Sequence, residues 1–468
     1  MALMATFPIP FGTQSNPGRH GMDTGARLIN VMGEPAEDGK SSSALYMFDG
    51  LEDFATLTDG GRYRGGLVFN NQLYVVSGTG LYRVDTSGTA TIVGGIPGTS
   101  PVTMTRNQDQ ITIVAEGGAA YLFEGGTLSL VTDADVGAPV SVTTINRRAV
   151  YAEATGRIAY SDVENAGVID TAAFFEAEAD PDGLVGAFEH KLDLWAFGTS
   201  TTEVFRDTGA ETDPFRRLGA PIEKGCLALG SIATIGEYIV WVGNDNVVYA
   251  STGSGYEALS HPPIGRDIAA LTDKTELRAK AYYWRDKPMY ELSAPSFTWV
   301  LNLGTKRWVE SESYGLTRRR TEGAVDFGGM TIFGDVSLPK LYKLTAGAQD
   351  EAGSRFVGLL RSEPVHAFPD QIIIDRLDLD FETGVGLNSL NNEESDPQIG
   401  LRVSDDGGFT WSNQRTASLG TIGSRRVRVE FNSLGMTGRV GRIFELEMSA
   451  PVVRAFYGAK AHGRTVRG

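Results

Sequence analysis

The chain has 468 residues, of which 41% are hydrophobic and 21% charged, and its formal net charge is −16 at pH 7. This composition excludes wholesale disorder, and no apolar run approaches the roughly 20 residues that cross a bilayer. The acidic balance argues against a sequence-independent grip on nucleic acid, which requires Lys and Arg. Fifty-eight glycines without a collagen period indicate many tight turns, and therefore many short strands.

The single cysteine, Cys226, excludes an internal disulfide and a cysteine-based zinc site. Residues 1–8 have no basic region and no long apolar stretch, so we expect no secretory signal. The chain is therefore expected to fold in a reducing cytoplasm and to be held together by packing and strand pairing.

Alternating apolar hairpins recur along most of the chain at nearly constant spacing. One apolar residue marks each hairpin: Leu73, Ile111, Val150, Leu194, Ile239, Met289 and Ile332. The intervals between the markers run from 38 to 50 residues, and each holds the hairpin plus about two more short strands. This spacing is typical of β-propeller blades and predicts six or seven of them over residues 45–350. A long β-sandwich or a series of β-modules is the rival interpretation.

An aromatic residue stands in the return strand of each repeat. These residues are Tyr82, Tyr121, Tyr160, Phe205, Tyr249, Trp299 and Tyr342. We expect them to pack between blades rather than to stack on a ligand, because large aromatic side chains dominate cores of this kind.

The pattern changes after about residue 350, where longer strands alternate apolar with charged residues. They are predicted at residues 371–381, 399–404, 425–431 and 442–448. The overall prediction is an all-β protein with an extended N-terminal arm (1–44), a β-propeller (45–350) and a C-terminal β-sandwich-like platform domain (351–468). The arm is expected to pack against the last domain or a neighbouring subunit. One helix is predicted, at residues 267–277.

The strongest local motif fits S-x-D-x-G-x-T-W at every fixed position, through Ser404, Asp406, Gly408, Thr410 and Trp411. This is the Asp-box of sialidases and related propellers. The spacing suits a hairpin turn in which the Asp carboxylate accepts backbone N–H groups, Gly supplies positive φ and Trp packs beneath. We therefore predict a structural turn, remote from catalysis.

The carboxylates between Glu176 and Gly183 could in principle serve glycoside hydrolysis, but Asp-Pro-Asp-Gly is a typical turn string. The five histidines are scattered, and no phosphate-binding or calcium-binding loop motif occurs. The sequence thus predicts no catalytic, cofactor-binding or metal-binding residues, no cofactor, and a protein that is not an enzyme.

The segment 176–186, continued by residues 195–205, resembles the packaged-DNA stabilisation (tail accessory) proteins of short-tailed bacteriophages. In that family a similar E-A-E-x-x-P-D-G run leads into a strand and then a hairpin of the form G-S/T-x-T-I/V-E-x-F. The residues of the matching turn are Glu176, Glu178, Pro181, Asp182 and Gly183. Lys224-Gly225 and the turn at 406–408 follow in the family's order.

The resemblance implies a structural virion protein that forms a ring, usually of six copies, as the tail tube or nozzle of a short phage tail. Such a ring retains packaged DNA and conducts it during ejection. It docks the adaptor or portal-side ring, a tail fibre or spike, and a needle or plug, while DNA passes through the lumen without specific binding. The chain would be made in the bacterial host cytoplasm, insert in no membrane and end in the virion tail. A glycan-binding or sialidase-like β-propeller is the alternative.

The charge divides along the chain. Residues 353–468 carry 14 Lys and Arg against 14 Asp and Glu, so the whole −16 lies before residue 353. We expect an acidic tube to repel DNA and the basic residues near the C-terminus to face a subunit or partner. These interface candidates are Arg439, Arg442, Arg454, Lys460, Arg464 and Arg467.

Overall fold

The computed structural model describes residues 5–20, 23–35, 43–177, 182–210, 213–253 and 255–466. Contacts divide the chain into two compact units. The propeller unit comprises Asp53–Pro295 and Arg320–Leu344, and the platform unit comprises Met1–Glu52, Ser296–Arg319 and Thr345–Gly468. The domain boundaries that the sequence indicates remain predictions.

The described residues form 39 strands and two α-helices, so the all-β prediction is confirmed. The first thirteen strands are β1 (Ala5–Pro8), β2 (Arg27–Ile29), β3 (Val31–Pro35), β4 (Ser43–Met47), β5 (Leu51–Thr56), β6 (Tyr63–Phe69), β7 (Gln72–Ser77), β8 (Gly80–Val84), β9 (Ala90–Gly95), β10 (Thr103–Arg106), β11 (Gln110–Val114), β12 (Ala120–Glu124) and β13 (Thr127–Leu130). The next twelve are β14 (Pro139–Ile145), β15 (Arg148–Glu153), β16 (Arg157–Tyr160), β17 (Phe174–Glu176), β18 (Leu184–His190), β19 (Asp193–Gly198), β20 (Thr202–Asp207), β21 (Phe215–Arg217), β22 (Ala233–Ile235), β23 (Tyr238–Val242), β24 (Val248–Ser251) and β25 (Glu257–Ala258).

The remaining strands are β26 (Arg278–Trp284), β27 (Lys287–Ala294), β28 (Phe297–Asn302), β29 (Arg307–Glu310), β30 (Thr321–Phe327), β31 (Met330–Asp335), β32 (Lys340–Leu344), β33 (Gly358–Arg361), β34 (Gln371–Phe381), β35 (Gln398–Ser404), β36 (Arg415–Ser418), β37 (Val429–Met436), β38 (Ile443–Met448) and β39 (Ala455–Val466). The helices are α1 (Pro262–Ala270) and α2 (Asn392–Ser395).

The propeller unit is built from four-stranded sheets that follow one another along the chain. In chain order they are β6-β7-β8-β9, β10-β11-β12-β13, β14-β15-β16-β17, β18-β19-β20-β21, β22-β23-β24-β25 and β30-β31-β32-β5. The hairpin β26–β27 stands between the last two, so the described residues of this unit contain seven repeats. β5 precedes β6 in sequence yet is the fourth strand of the last sheet, which ties the start of the unit to its end.

The repeats follow one another around a closed ring. β6, β10, β14 and β18 contact one another in succession, as do β22, β26 and β30, and β30 returns to β6. Between β18 and β22 the ring is continued by a buried aromatic cluster in which Trp195 and Phe197 of β19 pack on Trp241 of β23. Hydroxyl groups also join neighbouring first strands, since Thr143 Oγ1 accepts the backbone N–H of Glu189 at 3.1 Å. A ring of such sheets is a β-propeller.

The core of the propeller unit follows the predicted repeats. All seven marker residues lie in the second strand of their repeat and are buried. Six of the seven aromatic residues of the return strands lie in third strands of the propeller unit, and four of them, Tyr82, Tyr160, Phe205 and Tyr249, are buried in the clusters between sheets. The seventh, Trp299, is buried in β28 of the platform unit. Alternating strands joined by two-residue turns produce this arrangement; the turn Asn70-Asn71 has both residues at positive φ, which Asn tolerates.

The platform unit contains two sets of paired strands. One has the order β3-β4-β39-β34-β37, with β1 also paired to β39; in the other, seven strands of this unit follow in the order β28-β29-β2-β33-β38-β35-β36. The N-terminal arm therefore packs on the C-terminal strand, with Ala5 opposite Gly463 and Pro8 opposite Lys460. β34 alternates buried and half-buried residues, as the sequence pattern predicts for an antiparallel strand with one covered face.

Two sequence-based element bounds are wrong. The predicted helix at 267–277 is instead α1, at Pro262–Ala270, because two prolines at its first turn start it earlier and Asp273 caps a separate short turn by accepting the N–H of Thr275. The strand predicted at 425–431 begins only at Val429, and residues 425–428 belong to an exposed loop.

Candidate functional site

The Asp-box closes a hairpin turn that follows β35. Asp406 accepts the backbone N–H of Thr410 at 2.9 and 3.0 Å and its hydroxyl at 2.5 Å. The Ser404 hydroxyl donates to Asp406 and accepts the N–H of Gly408, both at 2.8 Å. Gly408 has φ +92°, a conformation that favours glycine, and the Trp411 indole donates to its carbonyl oxygen at 3.1 Å. All five motif residues thus serve the turn itself.

Electrostatics in this turn follow from its hydrogen bonds. Donors hold the pKa of Asp406 at about 2, led by the Thr410 hydroxyl and followed by the Thr410 backbone N–H and the Ser404 hydroxyl. A carboxylate this firmly ionised at neutral pH is a poor proton donor. The guanidinium of Arg361 lies 4.7 Å from the centre of the Trp411 ring, which completes the packing of the turn.

The family-like turn is held by one carboxylate. Asp182 Oδ2 accepts the backbone N–H groups of Ser200 and Thr201 at 2.5 and 3.0 Å, and so caps the turn between β19 and β20. Glu176 ends β17 and is exposed, and Gly183 directly precedes β18. Glu178 and Pro181 lie outside the described residues.

Two of the basic residues that are candidates for a subunit interface are buried inside the platform unit. Arg442 pairs with Asp405 through two hydrogen bonds of 2.6 and 2.8 Å and donates to backbone carbonyls. Arg454 donates to the carbonyl oxygens of Phe356, Met448 and Gln349, and burial lowers the pKa of its guanidinium. Both groups are therefore engaged within their own unit.

The other candidate basic residues lie nearer the surface. Arg439 and Lys460 are exposed, and half-buried Arg464 contacts Asp375 at 3.3 Å. Arg467 lies outside the described residues. A contact between these residues and a partner remains a prediction.

The propeller unit has a cleft of about 510 Å³ between β19 and the segment that follows β24. Three of its titratable groups are engaged: Asp193 pairs with Arg206 through two 2.7 Å hydrogen bonds, and His190 Nε2 lies 3.0 Å from the carbonyl oxygen of Glu237. Burial lowers the pKa of His190, so its ring is neutral at pH 7. The described residues that line this cleft include no Ser, Thr or Cys.

Across the described part of the chain, no group of three or more His, Cys, Asp or Glu side chains is placed to hold a metal ion. No helix among those residues is long and apolar enough to cross a membrane. Cys226 is buried, and burial raises the pKa of its thiol to about 12.

The two units differ in net charge. The propeller unit contains 21 Lys and Arg against 34 Asp and Glu, a net −13, which leaves −3 for the platform unit. The most acidic part of the propeller unit lies between residues 109 and 213, with 19 acidic and 5 basic residues.

Sequence reasoning missed one candidate surface in the platform unit. Leu387 and Leu390 are exposed on the loop at residues 384–397, and Ile422 is exposed on the adjoining loop. The available signal was two leucines in a segment otherwise rich in Asn, Glu and Gly.

Comparison with known proteins gives matches in both parts of the chain. A family described as the beta-propeller of bacteriophage P22 Gp10 matches residues 6–348, and one described as the beta-sandwich of the same protein matches residues 363–464. The tail hub protein gp10 of Salmonella phage P22 is 26% identical over 198 residues, which cover 39% of this chain and 40% of that protein. The match thus spans about two fifths of the length of this curated relative.

Solved structures resemble the chain more remotely. PorZ of Porphyromonas gingivalis has 12% identity and a TM-score of 0.41, covering 70% of this chain and 44% of that one. The beta-propeller domain of Myceliophteria thermophila Cps50 has 10% identity and a TM-score of 0.43, covering 63% and 100%.

The propeller, the second β-domain and the two matches together define a structural tail protein of the short-tailed phages. The chain belongs to the P22 Gp10 family, because the propeller match alone covers well over half of its residues. The predicted propeller with a C-terminal β-sandwich is therefore confirmed.

Proposed function

We propose that this chain forms a ring, of six copies, in the tail tube or nozzle of a short phage tail. The ring retains packaged DNA, conducts it during ejection, and docks an adaptor or portal-side ring, a fibre or spike, and a needle or plug. The observation that carries the proposal is the family match over residues 6–348. The P22 relative is a tail hub protein, which supports a position of this chain in the virion tail.

The charge of the chain suits a passage for DNA. Six copies of a chain with net charge −16 would bring −96 to the ring. A negative potential of this size repels phosphate and prevents DNA from sticking to the wall. Nucleic-acid-binding proteins have the opposite balance, because their affinity depends on Lys and Arg at phosphates.

A mechanical role also accounts for how the polar groups are used. Asp406 and Asp182 cap turns, Arg442 and Arg454 satisfy carboxylate and carbonyl groups, and Asp193 pairs with Arg206 in the cleft of the propeller unit. We therefore propose that the protein is not an enzyme and is made in the host cytoplasm before it joins the tail.

The test is a phage in which this chain is not made, compared with the same phage complemented from a plasmid. Heads should still package DNA, lose it after packaging ends, and lack a ring below the portal by electron microscopy. The complemented phage is the control, and it should retain its packaged DNA and show the ring below the portal. Heads that keep their DNA and remain infectious without the chain would contradict the proposal.

A second test addresses DNA passage directly. The purified ring should bind double-stranded DNA no more tightly than a dissociation constant of about 10⁻⁴ M at physiological salt, the weak end of non-specific binding. Tight binding that weakens steeply with added salt would contradict a repelling wall.

A further inference from the structure

The platform unit exposes three large apolar side chains on one group of loops. We call residues 384–397 and 419–428 the loop cluster. Leu387, Leu390 and Ile422 are exposed on it, and Leu390 has a relative exposure of 105%, so it makes almost no contact within its own chain. Single exposed apolar residues are ordinary, but three on adjoining segments mark an interaction surface.

The loop cluster is held in place by its own hydrogen bonds. The N–H of Gly384 donates to Leu419 O at 2.8 Å, and the N–H of Gly423 donates to Gly384 O at 3.1 Å. Gly386 donates to Gly420 O at 3.2 Å, and the hydroxyl of Ser418 donates to the Asp396 carboxylate. These bonds join the two segments, so the apolar side chains are presented by a fixed surface.

Basic and acidic residues lie in different segments of the loop cluster. Arg425, Arg426 and Arg428 are exposed in the same segment as Ile422. The acidic residues lie in the other segment, where Glu393 pairs with Arg355 at 3.0 and 3.1 Å and Glu394 accepts from Asn391 at 3.1 Å. The segment with Ile422 is therefore apolar and basic, which fits an acidic partner with apolar residues.

The propeller unit carries a surface that combines acidic and exposed apolar residues. We call residues 162–171 the acidic loop; it exposes Val163 and Val168 between the exposed residues Asp162 and Asp170. It is fixed by the N–H of Ile169, which donates to Asp133 at 3.0 Å, and by the hydroxyl of Thr171, which donates to Asp135 at 3.1 Å. Arg148 lies 3.7 Å from Asp162 and Arg147 lies 3.4 Å from Glu164. The loop's three acidic residues together with Asp133 and Asp135 outnumber these two arginines, so the surface stays acidic.

We propose that the loop cluster of one copy docks on the acidic loop of a second copy of this chain. The inference rests on the proposed ring and assigns its subunit contact. Burial of the apolar side chains drives association, and the opposite charges orient it. Because the two surfaces differ, the contact is heterologous, which builds a closed ring or an open filament rather than an isolated two-fold dimer.

The test measures the assembly of the full-length protein by sedimentation velocity over a range of concentrations. Two charge-reversed variants, R425E/R426E/R428E and D162K/D170K, should each lower the association constant at least tenfold. A chain that carries both sets should regain the association constant of the unmodified protein. Leu390→Ser with Ile422→Ser should weaken assembly with less dependence on salt. Arg83→Glu and Leu338→Ser, exposed residues elsewhere, are the matched controls and should assemble as the unmodified chain does.

Thermal unfolding of every variant identifies folding failures, since the substituted side chains are exposed and the unfolding midpoint should not change. If the unmodified chain forms a ring and both charge-reversed variants do so equally well, or if the combined chain does not recover, the contact is wrong and another tail protein occupies the loop cluster. That result leaves the proposed function intact. Virions without a ring of this chain would overturn the proposed function itself.

Discussion

Arg62 and Glu322, 260 positions apart in the chain, form a two-point ion pair inside the propeller unit. Arg62 Nε lies 2.9 Å from Oε2 of Glu322, and Nη2 lies 2.7 Å from Oε1. Arg62 directly precedes β6 in the first sheet, and Glu322 lies in β30 of the last. The hydrogen bonds to Glu322 raise the pKa of Arg62. The pair thus joins the two ends of the ring of sheets, alongside β5.

Arg62→Ala should destabilise the propeller unit by about 1–2 kcal/mol. Removing one partner of a buried pair costs more than this, but the Arg62 side chain is 39% exposed, which screens the interaction, and Arg278 remains 3.7 Å from Glu322. Urea unfolding followed by tryptophan fluorescence measures the change. Arg83→Ala, at an exposed strand position, is the control and should stay within about 0.5 kcal/mol. Equal effects of the two variants would show that the closure does not depend on this pair.

The repeats of the propeller were predictable because their signal is local. Alternation of apolar residues and two-residue turns act within a hairpin, and so Leu73, Ile239 and Ile332 lie in the second strands of their repeats. The Asp-box was predictable for the same reason, since Asp406 reaches Thr410 across only four residues.

The long-range pairings were not predictable from one sequence. Nothing in the local pattern of residues 51–56 shows that β5 completes the last sheet, or that Arg62 meets Glu322. Burial was hidden too: Arg442 and Arg454 look like surface charges in the sequence, but the strands around them enclose both. Such pairings depend on the closure of the whole fold rather than on neighbouring residues.

Gly225→Ala should destabilise the propeller unit by about 1–3 kcal/mol, the usual cost of overpacking. A Cβ atom at Gly225 would lie 2.3 Å from the carbonyl carbon of Thr199 and 2.4 Å from the nitrogen of Ser200, which are backbone atoms of the turn that Asp182 caps. Thermal and urea unfolding measure the effect. Gly95→Ala is the matched control, because its Cβ atom would approach only Thr79 O, at 3.8 Å. If the two variants unfold alike, the backbone at 199–200 can move aside.

Cys226 should be inert towards thiol reagents in the folded protein. Its side chain is buried, its thiol donates to the carbonyl oxygen of Ala228 at 3.3 Å, and burial raises its pKa to about 12, so almost no thiolate is present at pH 8. Labelling with a disulfide reagent should be at least about a hundredfold slower than in denaturant, because it requires local opening. The unfolded chain is the internal control. Native labelling at the denatured rate would mean that the region around Cys226 opens freely.

The Asp-box turn should loosen in acid, because Asp406 holds it as a carboxylate. Its pKa in the folded chain is about 2, below the value of about 3.9 for an unfolded Asp, so its contribution is present above about pH 4 and is lost as the pH falls through 2. Hydrogen exchange at the Thr410 amide, corrected for its intrinsic rate, should therefore lose protection over this range.

The Asp406→Asn variant isolates the carboxylate from the rest of the turn. Its side chain is neutral at every pH and keeps only one acceptor oxygen, so the Thr410 amide should exchange about tenfold faster at pH 5 and show no further loss between pH 4 and 2. Asp370→Asn, in the same unit, should keep the unmodified pH profile. A loss of protection centred near pH 4 in the unmodified chain would contradict the prediction, since Asp406 would then titrate as an ordinary carboxyl group and the Thr410 and Ser404 hydrogen bonds would favour neither of its protonation states.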